Sequence, residues 1–465
     1  MNVFEEARRE LYFPPVRFRL ADGERIWLNF AGRYRKPEVA AGRGIFLKFS
    51  NSALKGLFQL SLARWMKHPY SLKVALLEEF WLKNYEKRKR IAELFDTIVC
   101  ALYLIERGCY AVRPAIVEAM CSDKANTAVK AYLSRKTGLN FGGKLDDEDV
   151  RKAVEAMEKI SFERCSNLEV LKQNLQSFAE VIDRLIESNK EEMLEFNISA
   201  VDKAIQEVAG EVGVKEFREI SEYFGVGKGV GDERTADIRW YMQRSARYSV
   251  RVEGSVSAGN YPGRLVDFSP DEGVEAFSPV ESLGKVFPGI AKMHRPEGFE
   301  GKGNESRNAV IILDSSGSMK NPESGSCAII GAFAIARKYM ETGGRVGVVN
   351  FSWKTKCLKP SRSEDVFKAL AEYQGGGTEL KADVVVDYVR SEAEGYDVIL
   401  ITDAGIDNLG EVKDMLRKLK EIGCRNYVIW ISSEVFRKQK DELSKHAKVI
   451  PVSDERDIPK IAITI

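Results

Sequence analysis

The chain has 465 residues, enough for two or three domains of ordinary size, and 44% apolar with 30% charged residues describes a globular protein with hydrophobic cores. The opening MNVFEEARRE lacks the apolar stretch of a secretory leader, and the longest apolar runs, AVIIL before Asp314 and CAIIGAFAIA from Cys327, are too short to cross a bilayer. Secreted and membrane-bound readings are therefore set aside. The net charge of +2 hides an asymmetry, because residues 1–120 carry 21 Lys and Arg against 13 Asp and Glu, and the remainder 50 against 56. Such a basic first quarter suits an acidic partner, a nucleic acid, or only a solvated surface.

Residues 1–50 read as short strands. VRFRL and RIWLNF flank Ala21-Asp22-Gly23 as a hairpin would, and GIFLKFS follows a Gly-rich stretch. From Asn51 the apolar period becomes helical, in LKGLFQLSLARWM, LKVALLEEFWLKNYEKRKR and IAELFDTIVCALYLIERG, the last closed by Gly108. DDEDVRKAVEAMEKI, with an acidic first turn, SNLEVLKQNLQSFAEVIDRLIESNKEEMLEF, SAVDKAIQEVAGEVG and TADIRWYMQRSARYS extend a mainly helical N-terminal domain over residues 1–250. Residues 251–306 are rich in Gly, Pro and Ser and read as a linker or surface loops. Over residues 307–465 apolar strands (NAVIILD, RVGVVNFS, YDVILITD, NYVIWIS, KVIPV) alternate with amphipathic helices. That alternation predicts an α/β domain, a doubly wound parallel sheet covered on both faces.

In such sheets ligands bind outside the carboxyl ends of the strands. The loop after AVIIL carries Asp314-Ser315-Ser316-Gly317-Ser318, a later loop Gly375-Gly376-Gly377-Thr378, and the loop after VILIT Asp403, with Asp407 and Asn408 at its rim. Asp314, Ser316, Ser318, Thr378 and Asp403 offer only hard oxygen, a set that selects Mg²⁺ or Mn²⁺ over zinc. Two carboxylates and three neutral hydroxyls leave a divalent ion electrophilic and open to an outside carboxylate.

This constellation resembles the von Willebrand factor A domain and its metal-ion-dependent adhesion site. The family pattern is D-x-S-x-S after the first strand, Thr in a second loop and Asp after a later strand, and Asp314, Ser316, Ser318, Thr378 and Asp403 match it. The resemblance covers residues 307–465 and implies a Rossmann-like fold, a bound Mg²⁺, and a protein partner that donates Asp or Glu to the ion. A helical front before such a domain is similar to microbial MoxR-associated (CoxE-like) proteins. That implies a non-enzymatic cytoplasmic adaptor or co-chaperone beside a MoxR-type AAA+ ATPase.

Two other resemblances compete. A helical domain joined to a von Willebrand A domain resembles the Ro ribonucleoprotein arrangement, which implies RNA as partner. The basic run of residues 83–90, KNYEKRKR, is the helix face that would serve it, although a solvated face is the simpler reading. GIFLKFS, GLFQLSLARWMKHPY and LFDTIV are similar to the front of metallopeptidase-like domains, but Leu60-Ser61-Leu62-Ala63-Arg64 stands where those carry H-E-x-x-H. That similarity implies a scaffold that has lost its metal. Gly225-Val226-Gly227-Lys228-Gly229 is not a phosphate loop, because Gly rather than Ser or Thr follows the Lys and no buried strand precedes it. His68, His294 and His446 have no motif partners, and the seven scattered cysteines form no C-x-x-C pair, as expected of reduced thiols in a cytoplasm.

Overall fold

The computed structural model describes residues 2–29, 38–165, 167–187, 201–226, 235–248, 257–258, 265–267, 277–278, 282, 291–294, 299–300, 307–431, 434–453 and 457–458. The chain divides into two compact units. Unit 1 comprises Met1–Ile205 with Pro262–Pro296, and unit 2 comprises Gln206–Tyr261 with Glu297–Ile465. Residues 251–306 are thus shared between the two units.

Unit 1 contains α1 (Asn2–Glu10), β1 (Arg17–Ala21), β2 (Ile26–Asn29), β3 (Glu38–Gly42), α2 (Ile45–Lys48), α3 (Asn51–Met66), α4 (Leu72–Trp81), α5 (Arg88–Glu106), α6 (Val112–Ala119), α7 (Lys124–Thr137), α8 (Glu148–Met157) and α9 (Leu168–Ile182). Next comes α10 (Val201–Val208), within which the chain passes from unit 1 to unit 2. The expected hairpin does not form. β3 lies between β1 and β2, parallel to the first and antiparallel to the second. The reason is packing: Val39, Ala40 and Ala41 of β3 are buried, whereas β1 is mostly exposed and suits an edge. GIFLKFS is not a strand but the short helix α2 followed by a turn. It enters beside Gly44, whose added Cβ would lie 3.0 Å from the Gly23 carbonyl oxygen.

The helices of unit 1 pack closely. Ser50 caps α3 by accepting the Ala53 N–H, and Ser71 caps α4 by accepting that of Val74. Gly56 of α3 meets α6 so closely that a Cβ there would stand 1.9 Å from the Ala111 carbonyl oxygen. The helix expected to run on through KNYEKRKR stops at Trp81, and α5 begins at Arg88. The expected long helix from Ser166 likewise ends at Ile182 in a 3-10 turn, Asp183–Leu185. These two breaks meet: the Lys87 ammonium donates to the Ile186 carbonyl at 2.6 Å and, at 3.1 Å, to the Asp183 carbonyl, which also accepts the Ile186 N–H. A two-stranded ribbon, β5 (Leu265–Asp267) with β6 (Lys292–His294), also belongs to this unit.

Unit 2 holds α11 (Val214–Tyr223), α12 (Thr235–Ser245), a ribbon of β4 (Ser257–Ala258) and β7 (Phe299–Glu300), and a six-stranded sheet with its helices. The sheet comprises β8 (Ala309–Asp314), β9 (Val346–Phe351), β10 (Thr355–Ser361), β11 (Asp397–Thr402), β12 (Arg425–Ile431) and β13 (Lys448–Val452), in the order β10-β9-β8-β11-β12-β13. Five strands are parallel, and β10 adds an antiparallel edge that the sequence pattern did not signal, because TKCLKPS is polar and half exposed. The crossovers are α13 (Cys327–Glu341), α14 (Asp365–Ala371), α15 (Ala382–Glu392), α16 (Leu409–Glu421) and α17 (Arg437–Leu443). Val310, Ile312, Val349, Phe351, Val398 and Leu400 face α15 and α16 on one side of the sheet. The alternate residues of β8, β9 and β11 face the other side, where α13 packs, buried along nearly its whole length. The α/β, doubly wound expectation therefore holds for this unit, as a mostly parallel sheet. Helices α11 and α12 join it through Tyr241. The Tyr241 hydroxyl donates to the Pro322 carbonyl and accepts the Ser326 N–H, and its ring lies 5.4 Å from that of Phe333.

Candidate functional site

β8 and β11 are neighbours in the sheet centre, so their carboxyl ends deliver Asp314 and Asp403 to the same edge. The Asp314 carboxylate is buried and fully engaged, with Oδ1 accepting the Ser316 N–H at 3.0 Å and Oδ2 the Thr402 hydroxyl at 2.7 Å. Ser316 and Ser318 hydroxyl oxygens stand 3.2 Å apart; Ser316 is buried and Ser318 exposed, so this pair runs from the interior to solvent.

Backbone hydrogen bonds stitch the glycine-rich loop to this turn. Gly375 N–H donates to the Ser315 carbonyl and Gly317 N–H to that of Gly376, both at 2.9 Å. A Cβ on Gly317 would come within 3.1 Å of the Gly376 oxygen, a tight approach, and Gly375 and Gly376 hold φ of 65° and 88°, a conformation that favours glycine. From the end of β9, the buried Ser352 hydroxyl reaches the Gly375 carbonyl and, at 2.7 Å, that of Gly377. Thr378 in turn is bound at both backbone groups by Asp407, whose carboxylate accepts the Thr378 N–H at 3.1 Å and whose N–H donates to the Thr378 carbonyl at 2.9 Å. Asn408 clasps Leu380 in the same way. The sequence placed Asp407 and Asn408 at the rim; their work is to lash the Thr378 loop to the Asp403 loop.

Asp403 is held by a sharp turn. Its Oδ1 accepts the Gly405 N–H at 2.9 Å, its carbonyl accepts the Trp430 indole N–H at 3.1 Å, and Ala404 takes a left-handed conformation with φ 70°. Such a conformation in a non-glycine residue costs about 1–3 kcal/mol and is tolerated where surrounding contacts fix it. Here the Thr402 hydroxyl, already donating to Asp314, also accepts the Ala404 N–H at 3.0 Å.

The electrostatics favour a cation. Burial pushes the Asp314 carboxyl up to about 6, the bonds from Ser316 and Thr402 oppose that, and the charge of Asp403 pushes it further up. The charge of Asp403 thus stands close enough to disfavour the charged form of Asp314, in a set of hydroxyl and carboxylate oxygens with a glycine cradle. That donor chemistry fits a small hard divalent ion. Trp353, 61% exposed, lies against Gly376 beside this mouth, and its ring takes the Lys354 ammonium at 4.9 Å.

The basic run of residues 83–90 is largely engaged within unit 1. Arg90 is buried and donates to Asn126 Oδ1 at 2.6 Å, Arg88 pairs with Glu79, Lys83 sits over the Phe80 ring, and Lys87 closes α9. As a helix face it is corrected, since residues 83–87, five of the eight, lie between α4 and α5. The glycines from 227 in the Gly225–Gly231 run lie outside the described residues.

Sequence reasoning missed one cluster. His68, with no partner in sequence, lies 2.5 Å through Nε2 from Glu78 Oε1 on α4 and 3.4 Å from Asp96 Oδ1 on α5, and all three are buried. Burial pushes Glu78 up to about 8 and Asp96 up to about 7, and pushes His68 down to about 4. Spacings of 10 and 18 residues across three elements form no motif; the available signal was an acid at an inward position of each of two apolar helices.

No family model and no curated protein matches this sequence.

Proposed function

We propose that unit 2 is a von Willebrand factor A-type module in which Asp314, Ser316, Ser318, Thr378 and Asp403 hold Mg²⁺ or Mn²⁺, and that the chain is a non-enzymatic adaptor gripping a partner protein. The observation that supports this reading is the stitching of the loops after β8 and β11 to the loop between α14 and α15, which carry the five oxygen-bearing residues of the expected types, beside a buried, partnered Asp314. A bound ion supplies positive charge and an open position for an outside Asp or Glu. The chain's own residues do the rest: Thr402 and the Ser316 N–H orient Asp314, Asp407 fixes Thr378, and Gly317 lets the loops close. A MoxR-type AAA+ ATPase as the working companion rests on the resemblance of the chain's layout, a helical front before the α/β module.

Calorimetry with Mg²⁺ and Mn²⁺ tests the site. The parent protein should bind about one ion there, and Asp314→Ala should abolish that binding; equal binding by the variant would sink the assignment. The same variant, and chelation of the parent, should release a protein partner captured from native lysate. An ATPase or its client in the released fraction supports the adaptor. RNA held at physiological salt and indifferent to chelation would favour the Ro-like alternative.

A further inference from the structure

His68 follows α3, Glu78 lies on α4 and Asp96 on α5, and none of the three reaches solvent. One atom from each side chain, an imidazole nitrogen and two carboxylate oxygens, falls within 4.8 Å of the other two. These atoms stand in ion-pair contact but without hydrogen-bond geometry. His68 Nε2 and Nδ1, Glu78 Oε1 and Asp96 Oδ1 are all buried and have no hydrogen-bond partner, even though Nε2 stands 2.5 Å from the Glu78 oxygen. A buried polar atom without a hydrogen bond is costly, and one ion held by all three side chains would relieve that cost at His68 Nε2, Glu78 Oε1 and Asp96 Oδ1.

The surroundings hold the cluster in place. Arg64 approaches Asp96 from the Oδ2 side at 3.8 Å, which leaves Oδ1 turned to His68. The Cys100 thiol, one turn along α5 from Asp96, donates to the His68 carbonyl at 3.2 Å and so fixes the backbone that carries the imidazole. The Phe95 ring lies edge-on to the His68 ring at 5.6 Å. Outer groups that orient ligands in this way are a regular part of metal centres.

We propose that His68 Nε2, Glu78 and Asp96 form a second, buried metal centre in unit 1, for a first-row divalent ion such as Zn²⁺, Fe²⁺ or Mn²⁺. One imidazole with two carboxylates is a mixed nitrogen and oxygen set, which suits these ions and disfavours Mg²⁺ and Ca²⁺. Two carboxylates cancel the charge of the ion, and ligands about 2.0–2.2 Å from a zinc-sized ion stand about 3–3.5 Å apart. His68 Nε2 and Asp96 Oδ1, at 3.4 Å, already have that spacing, and Glu78 Oε1, at 2.5 Å from Nε2, draws back as the ion enters. Because the site is closed to water, its ion enters as the chain folds and stays until it unfolds, unlike an ion at the open loops of unit 2.

The test uses the full chain with Asp314→Ala, which silences the loop site, unfolded in urea and refolded with Zn²⁺ or Mn²⁺. After gel filtration in EDTA, elemental analysis should find about one ion per chain, and release should require denaturant. His68→Asn and Asp96→Asn should each lose the ion, whereas His446→Ala, at a half-exposed histidine elsewhere, should keep it. Refolding with Co²⁺ covers the case in which those variants do not fold, since His68 ligation gives the parent a visible absorption band that Zn²⁺ suppresses. An Asp314→Ala chain with no retained ion and no such band would overturn the proposal and leave two buried ion pairs, His68 with Glu78 and Arg64 with Asp96. Retention unchanged in folded His68→Asn would overturn it equally.

Discussion

The strand-end loops of unit 2 and the helix-lined cluster of unit 1 both gather carboxylates, but they treat them in opposite ways. In the loops, both oxygens of Asp314 are taken by a backbone N–H and a hydroxyl, and Ser318 opens the set to water. Between the helices, the facing oxygens of Glu78 and Asp96 have no hydrogen-bond donor, and Arg64 stands 3.8 Å from the other Asp96 oxygen. The contrast follows from the elements. A loop has spare backbone N–H groups to offer an anion, whereas a helix interior has spent its own on the preceding turn. A carboxylate on a buried helix face must therefore find its compensation in side chains or an ion.

The comparison can be broken most sharply at Arg64. In metal-free protein above pH 8, where Glu78 and Asp96, pushed up to about 8 and about 7, carry their charge, Arg64→Ala strips the cluster of its cation, and losing one partner of a buried charged set costs about 3–5 kcal/mol. Urea unfolding should show that loss, and metal-loaded protein should lose less, since the ion then compensates the carboxylates. A change under 1 kcal/mol in the metal-free form would mean that Glu78 and Asp96 are neutral and need no cation.

Thr402→Val probes the loops in the same manner with a smaller effect. The substitution keeps the shape but leaves Asp314 Oδ2 and the Ala404 N–H without Thr402, at a cost of about 1.5–3 kcal/mol for bonds to a charged group. Thermal unfolding without metal should show it, and Mg²⁺ affinity should fall in parallel because Asp314 is no longer oriented. Unchanged affinity would mean that Thr402 supports the fold alone.

The smallest effect on stability should come from Trp353→Ala. The ring is 61% exposed, so stability should change by no more than about 0.5 kcal/mol. Metal affinity should stay the same, while capture of a partner protein should weaken, since an exposed tryptophan at the edge of a binding mouth is the kind of side chain that anchors an interface. Capture unaffected by the change would place the partner elsewhere on the chain.

Much of unit 2 was legible in the sequence, and little of unit 1. AVIILD, VGVVNF and DVILIT announce buried strands by apolar runs alone; Asp314 and Asp403 follow from reading the ends of the first and third, and Thr378 from the glycine run before it in the loop between α14 and α15. The edge strand β10 escaped because a polar, half-exposed strand carries no such run. In unit 1, the order β1-β3-β2 rests on direct pairing of β1 with β3, Arg17 opposite Glu38, with β2 between them only in sequence, which turn residues near Gly23 do not encode. The end of α4 and the start of α5 are set partly by Lys87 reaching carbonyls nearly a hundred residues away.

By itself, then, the sequence determined the period of each element and the chemistry of each strand-end loop, because both depend on neighbours along the chain. The tertiary structure decided which loops are bound together, that Tyr241 fastens α12 to the start of α13, and that His68, Glu78 and Asp96 meet. Those outcomes depend on which helix faces pack, and a close contact such as that of Gly56 with Ala111 is set by the whole core rather than by local spacing.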